Sequence, residues 1–143
     1  LGAAGGVEFI DDYAHHPTEV RTTLAAVAGL WKAGRVIVVF QPHRYSRTKL
    51  LAREFGPAFK AADFVYVMEV YPAGEKPLKG VSSRLILDSM RRAGVAGAAF
   101  PGALELARQL KPGDVVLTMG AGDVWKVGED LLRRRRGESA AAL

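Results

Sequence analysis

Two five-residue stretches, Val36-Ile37-Val38-Val39-Phe40 and Val115-Val116-Leu117-Thr118-Met119, limit the possible folds of this chain more than any other feature. Apolar, β-branched runs without polar alternation suit strands covered on both faces, as in a parallel sheet between two helical layers. Both stretches are therefore expected to be central strands.

The surrounding chain alternates in the same sense. Val7 to Tyr13 reads as a strand. Pro17 to Lys32 reads as a helix, because Val20, Leu24, Val27 and Trp31 recur at spacings of three to four, with Gly34 closing it. Ser46 is a candidate cap for a second helix carrying Leu50, Leu51 and Phe55, which Gly56-Pro57 should break or kink before Phe59. Phe64 to Val70 reads as a strand and Tyr71 to Gly80 as a loop. A helix from Ser82 to Gly94, a weak strand from Val95 to Phe100, a short helix from Ala103 to Leu110 and a last helix from Asp123 to Arg134 complete the rhythm. Such alternation implies parallel pairing and right-handed crossovers. The expected fold is α/β: a Rossmann-like open sheet, mostly parallel, of five or six strands with helices on both faces.

Three polar clusters follow three of these strands: Asp11-Asp12-Tyr13-Ala14-His15-His16-Pro17, Gln41-Pro42-His43-Arg44-Tyr45-Ser46-Arg47-Thr48 and Gly120-Ala121-Gly122-Asp123. The carboxyl ends of parallel strands form the ligand crevice in such a sheet, so all three clusters should share one rim. The chain's three histidines all fall in the first two.

Along the first strand, Asp11, Tyr13 and His15 should face one side and Asp12 the other. A carboxylate just before a helix N-terminus suits a ribose hydroxyl pair, and a histidine there could meet phosphate or its magnesium-bound water. The alternative is that Asp12 and His16 only cap the helix opening at Pro17. The adjacent His15 and His16 diverge and have no further ligand at a zinc spacing, so no dedicated metal site is expected. Arg44 and Arg47, three residues apart at a helix start, could converge on one carboxylate or phosphate with His43 nearby; otherwise they are solvated surface arginines. The third cluster lacks the last glycine of a dinucleotide fingerprint and the Gly-Lys-Ser/Thr of a P-loop. A triphosphate would have to be cradled by another domain.

Composition excludes several classes. At 143 residues, 49% hydrophobic and 24% charged, the chain reads as one ordinary globular domain, with no apolar stretch long enough to span a bilayer. It has no cysteine, hence no disulfide or thiolate metal site. Of the net charge of +5, Arg133 to Arg136 supply four, so no basic nucleic-acid-binding face is expected and the run reads as a frayed terminus. Residues 1–6, beginning at Leu1, read as a linker or lead-in of small residues, 7–134 as the domain, and 135–143 as a disordered tail. The chain looks like a piece of something longer.

The first two clusters, together with Tyr71-Pro72-Ala73-Gly74-Glu75 and Gly120-Ala121-Gly122-Asp123-Val124-Trp125-Lys126-Val127, resemble in order the C-terminal domain of the Mur ligases. Within that family the resemblance is to the branch that joins L-alanine to UDP-N-acetylmuramate during peptidoglycan synthesis. The resemblance implies a cytoplasmic bacterial enzyme using ATP and Mg2+, with the P-loop and metal ligands in a central domain and the sugar nucleotide on an N-terminal domain. It further implies an acyl phosphate that the amine of alanine attacks. Carried over, it puts Asp12, Asp11 and His16 at ATP, His15 and Tyr13 at the reacting centre, and His43, Arg44 and Arg47 on the alanine carboxylate. The isolated domain is expected to be inactive. Two alternatives stay open: the related ligase that recycles a tripeptide onto the same sugar nucleotide, and a stand-alone nucleotide- or anion-binding module.

Overall fold

A computed structural model describes residues 1–31 and 34–138. Its six strands are β1 (Gly2–Ala4), β2 (Val7–Asp12), β3 (Val36–Phe40), β4 (Phe64–Val67), β5 (Gly97–Ala99) and β6 (Val115–Met119). The helices are α1 (Pro17–Leu30), α2 (Tyr45–Ala58), α3 (Arg84–Arg92), α4 (Ala103–Gln109) and α5 (Trp125–Arg135). The sheet runs β1-β2-β6-β3-β4-β5, antiparallel only between β1 and β2. The two apolar runs are the paired central strands, buried at every residue.

The pleat divides β3 between two cores. Val36, Val38 and Phe40 pack with Leu24 of α1, Phe55 and Phe59 of α2 and its C-terminal end, and Ile86 and Met90 of α3. Ile37 and Val39 pack on the other side with Leu106 of α4 and Leu131 of α5. Register then sets the rim. Asp12 pairs with Met119, and Met119 with Phe40, so the ends of β2, β6 and β3 lie in one row.

Several boundaries differ from the sequence expectation. Gly2–Ala4, expected as lead-in, forms β1, because Gly5 and Gly6 at φ 57° and 79° make the two-residue hairpin turn that demands left-handed backbone. Arg135, expected as the start of a disordered tail, closes α5 and donates to the carbonyls of Gly5 and Leu110. Arg133 and Arg134 reach Glu129 and Asp130 one turn back, so the arginine run is part of a helix rather than a frayed end. Lys32 and residues 139–143 lie outside the described residues. Ser46 is not the cap of α2, which starts at Tyr45.

Pro57 sits inside the last turn of α2, which ends at Ala58. Proline lacks the N–H that would bond the Arg53 carbonyl. The Ser89 hydroxyl of α3 donates to that carbonyl at 3.2 Å and accepts from Gly56 N at 2.9 Å. A Cβ on Gly56 would lie 2.3 Å from the Ser89 carbonyl, so only glycine permits this approach of α2 to α3.

Candidate functional site

Asp11 and Asp12 part company at the end of β2. Asp12 Oδ2 accepts from Ala14 N at 2.9 Å and from the Thr23 hydroxyl of α1 at 3.2 Å. It borders an open pocket of about 430 Å3 lined also by Tyr13, Thr18, Glu19 and Thr22. Both bonds fall on Oδ2, which leaves the lone pairs of Oδ1 for a ligand donor. Asp11 points to the opposite face and accepts from the Thr118 hydroxyl at 2.6 Å. The two carboxylates therefore do not form one site.

Capping of α1 falls to neither aspartate. Glu19 reaches back to accept from His15 N and His16 N, and these two bonds hold its carboxyl below the usual range. His16 occupies the N-cap position, its backbone N–H held by Glu19, and its side chain stays exposed.

The imidazoles converge across two strand ends. His15 lies 5.4 Å from the Tyr13 ring, edge to face, and 5.8 Å from the ring of His43, although 28 residues separate the histidines in the chain. The Tyr13 carbonyl, an acceptor only, lies 3.0 Å from His15 Nδ1. That places the proton on Nδ1 and turns a lone pair on Nε2 outward in the neutral ring. His43 has the opposite tautomer. Arg47 Nη1 donates to its Nδ1 at 3.1 Å, so the proton sits on Nε2. Burial, and then the charges of Arg47, His15 and Arg44, push His43 below its ordinary pKa.

Arg44 stands where β3 turns into α2, at φ 71°, and its N–H donates to the Tyr71 carbonyl. Arg47 is half-buried, while Arg44 is exposed. The sequence expectation that both belong with His43 is met unequally: Arg47 touches the ring, whereas Arg44 reaches it only as a nearby charge.

Sequence reasoning assigned no role to Gln41, Tyr71 or Glu75 in locking these loops together, and gave Ser46 a different one. Gln41, buried at the end of β3, donates to Asp123 Oδ1 at 2.7 Å and accepts from Val124 N at 3.1 Å. It thereby ties the second cluster to the third. Tyr71 stacks on His43 at 5.6 Å, and a Cβ on Gly122 would lie 2.7 Å from its ring. Ser46 N and the Ser46 hydroxyl both donate to Glu75, which fixes the loop after β4 over the start of α2. Gln41 stood in the sequence as part of a recognisable run, but only its buried end-of-strand position could have marked it as a brace.

Among the described residues no group of three or more histidine or carboxylate side chains could hold a metal ion. No helix there is long and apolar enough to cross a membrane.

The fold is an α/β domain whose carboxyl rim carries the Asp12 carboxylate, the His15 and His43 imidazoles in opposite tautomers, and Arg44 and Arg47. The chain belongs to the Mur ligase family: residues 1–122 match the family described as Mur ligase, glutamate ligase domain. It is 52% identical over 131 residues to a UDP-N-acetylmuramate–L-alanine ligase of Endomicrobium trichonymphae, covering 92% of this chain and 29% of that protein. It is 49% identical over 139 residues to the ligase of the same name from a Mycobacterium species, covering 92% and 28%. The chain thus spans under a third of the relatives it matches. A crystal structure of UDP-N-acetylmuramate–alanine ligase from Thermotoga maritima superposes with TM-score 0.73 at 28% identity, covering 93% of this chain and 27% of that one. A murein peptide ligase from Psychrobacter arcticus superposes as well, with TM-score 0.75 and coverage of 98% and 30%, but at 20% identity, so it shares the fold alone.

Proposed function

We propose that this domain is the C-terminal part of an ATP-dependent ligase that joins L-alanine to UDP-N-acetylmuramate. The observation that carries the reading is the pair of opposite tautomers at the rim. A free amino acid presents an acidic and a basic end a few bonds apart. His43 Nε2–H with Arg47 and Arg44 suits the carboxylate, and the outward lone pair of His15 Nε2 suits the amino group. The named relatives support the same choice, at 45–52% identity over nearly the whole chain.

In this reading the amine nitrogen of alanine attacks the carbonyl carbon of a muramoyl phosphate. The C–N bond forms, the C–O bond to phosphate breaks, and the nitrogen loses a proton. Arg47 and Arg44 orient the amino acid, and Arg47 is itself held by His43. His15 Nε2 accepts the hydrogen bond of the alanine amino group and takes the proton it loses, and Tyr13 flanks it. Asp12 holds the ribose of ATP through Oδ1, beside the pocket above α1. His16 stands at the same end, and Asp11, turned to the other face and bound to Thr118, braces the rim instead. Mg2+ bound with the nucleotide phosphates would supply charge neutralisation during phosphoryl transfer, and its ligands would come from the central domain rather than from the rim residues named here. UDP-N-acetylmuramate, the N-terminal and central domains and a cytoplasmic setting belong to the same proposal.

The test is ADP release by the full-length product of the same gene, with UDP-N-acetylmuramate and ATP present. L-alanine should drive turnover, and L-alanyl-γ-D-glutamyl-meso-diaminopimelate should not. The reverse preference would make the protein a tripeptide-recycling ligase. The 143-residue chain alone should release no ADP, because it has no P-loop to cradle the β- and γ-phosphates.

A further inference from the structure

Four cations that are scattered in the sequence meet outside the rim. Lys49 and Arg53 of α2, Lys79 of the loop before α3, and Arg92 of α3 line one indentation of about 330 Å3. Ala52, Val81 and Leu85 supply apolar lining. Asp88 is the one acid in the lining, and Arg91 already pairs with it at 3.0 Å. Of the acids nearby in the chain, Glu75 is bound to Ser46 and Glu69 to the Ser83 hydroxyl at 2.8 Å, whereas Glu54, next to Arg53 on α2, is outside the lining and makes no ion pair among the described residues. Among the described residues none of the four cations has a carboxylate within 4.0 Å. Gly80, at φ 77°, has nothing within 4 Å of where a Cβ would stand, so its part of the wall is open.

Four like charges round one concavity repel one another, and because all four side chains are exposed this repulsion is strongest at low ionic strength. An anion carrying several charges relieves it. A planar basic patch would suit a polyanionic surface, whereas a concavity of this size suits a compact one.

We infer that the cleft between α2 and α3, walled by Lys49, Arg53, Lys79 and Arg92, is a binding site for a small multivalent phosphate anion of the diphosphate type. It is separate from the rim: none of its lining residues is among the aspartates, histidines or arginines of that site. It does communicate with the rim by contact. The loop carrying Lys79 begins at Tyr71 and Glu75, and Glu75 grips Ser46 one turn before Lys49. An anion drawing Lys79 onto α2 would tighten the same loop that stacks Tyr71 on His43.

The probe is inorganic diphosphate, titrated into the 143-residue chain by calorimetry, with amide NMR shifts followed in parallel. Saturable one-to-one binding is expected with Kd of about 1 mM or tighter, with the largest shifts at Gly80 and Val81. The double variant Lys79→Gln/Arg92→Gln, both exposed and free of ion pairs, should keep the thermal stability and weaken binding about tenfold or more. The rim variant Arg44→Gln/Arg47→Gln should leave diphosphate affinity unchanged. Three results would each overturn the proposal. One is an affinity that follows Arg44 and Arg47 instead of Lys79 and Arg92. A second is no saturable binding. The third is sedimentation with phosphatidylglycerol vesicles without binding of free diphosphate, which would make the cleft a lipid-headgroup contact.

Discussion

Arg47 Nη1 lies 3.1 Å from His43 Nδ1, a cation donating to a ring that its surroundings keep neutral. Each residue thereby decides the other's orientation. The guanidinium is held against the rim, and the imidazole proton is forced to the outward nitrogen.

Replacing Arg47 with Ala in the full-length enzyme should raise KM for L-alanine roughly ten- to a hundredfold while leaving KM for ATP nearly unchanged, the loss expected for a charge-assisted contact of about 1.5–3 kcal/mol. Arg44→Ala should act in the same direction but more weakly, since only Arg47 is braced by the ring. Arg47→Lys should recover part of the loss, because an ammonium cannot make paired planar bonds. Steady-state kinetics with each substrate varied in turn decides the matter. An ATP-specific defect would reverse the assignment of the two clusters.

Asp12→Asn is the counterpart. Its remaining oxygen can still accept from Ala14 N and Thr23, so the fold should hold, while the charge that faces the ribose is lost. KM for ATP should rise about tenfold and that for L-alanine should stay, in the same assay.

The lowered pKa of His43 makes a statement about stability. The folded chain takes up this proton less readily than the unfolded chain, whose histidine titrates near 6.5. Below about pH 6.5 the unfolded state therefore binds more protons, and stability falls as pH drops from there toward the lowered value. His43→Gln keeps an acceptor for Arg47 but takes up no proton. Denaturant unfolding at pH 7.5 and 5.5 should show a smaller loss for this variant than for the parent. Equal losses would mean that His43 is not the residue responsible.

Gly122→Ala should misplace the rim. The added methyl would fall 2.6 Å from Gln41 Oε1 and 2.7 Å from the Tyr71 ring, so one or both must move. Overpacking of this kind costs about 1–3 kcal/mol. Weaker L-alanine binding should accompany the lower thermal midpoint, because Tyr71 carries His43.

Ser89→Ala should destabilise the domain by about 1–3 kcal/mol, since Gly56 N and the Arg53 carbonyl both lose their partner beside Pro57. Alanine kinetics should be unaffected at temperatures where the variant is folded. A stability equal to the parent's would show that water replaces the hydroxyl.

Asp114 accepts from Arg35 Nε and Nη2 and from Lys111 N. Burial raises its carboxyl, yet these donors outweigh it and hold the group below its usual pKa. This brace is illegible in the sequence, since residues 35 and 114 meet only where β3 and β6 start side by side. The Gly5-Gly6 turn was legible by contrast, since paired glycines are a hairpin signal, yet the small residues beside it read as a lead-in. The pleat puts Asp11 and Asp12 on opposite faces as alternation predicts, but β2 ends at Asp12, and Tyr13, expected on the side of Asp11, lines the pocket of Asp12 instead.

What the sequence by itself determined is local and periodic. Uninterrupted apolar runs required strands buried on both sides, helical spacing supplied their covers, and polar clusters after strand ends had to appear at one rim. The tertiary structure decided everything that depends on elements meeting across the fold. It chose which of two arginines touches His43, set the proton positions on His15 and His43, and braced Gln41 between two loops. It also gathered Lys49, Lys79 and Arg92, whose charges look evenly dispersed along the chain, around one cleft. The reason is geometric: hydrogen bonds and fields act over a few ångströms in space, and sequence separation carries no information about that distance once the chain has crossed the sheet.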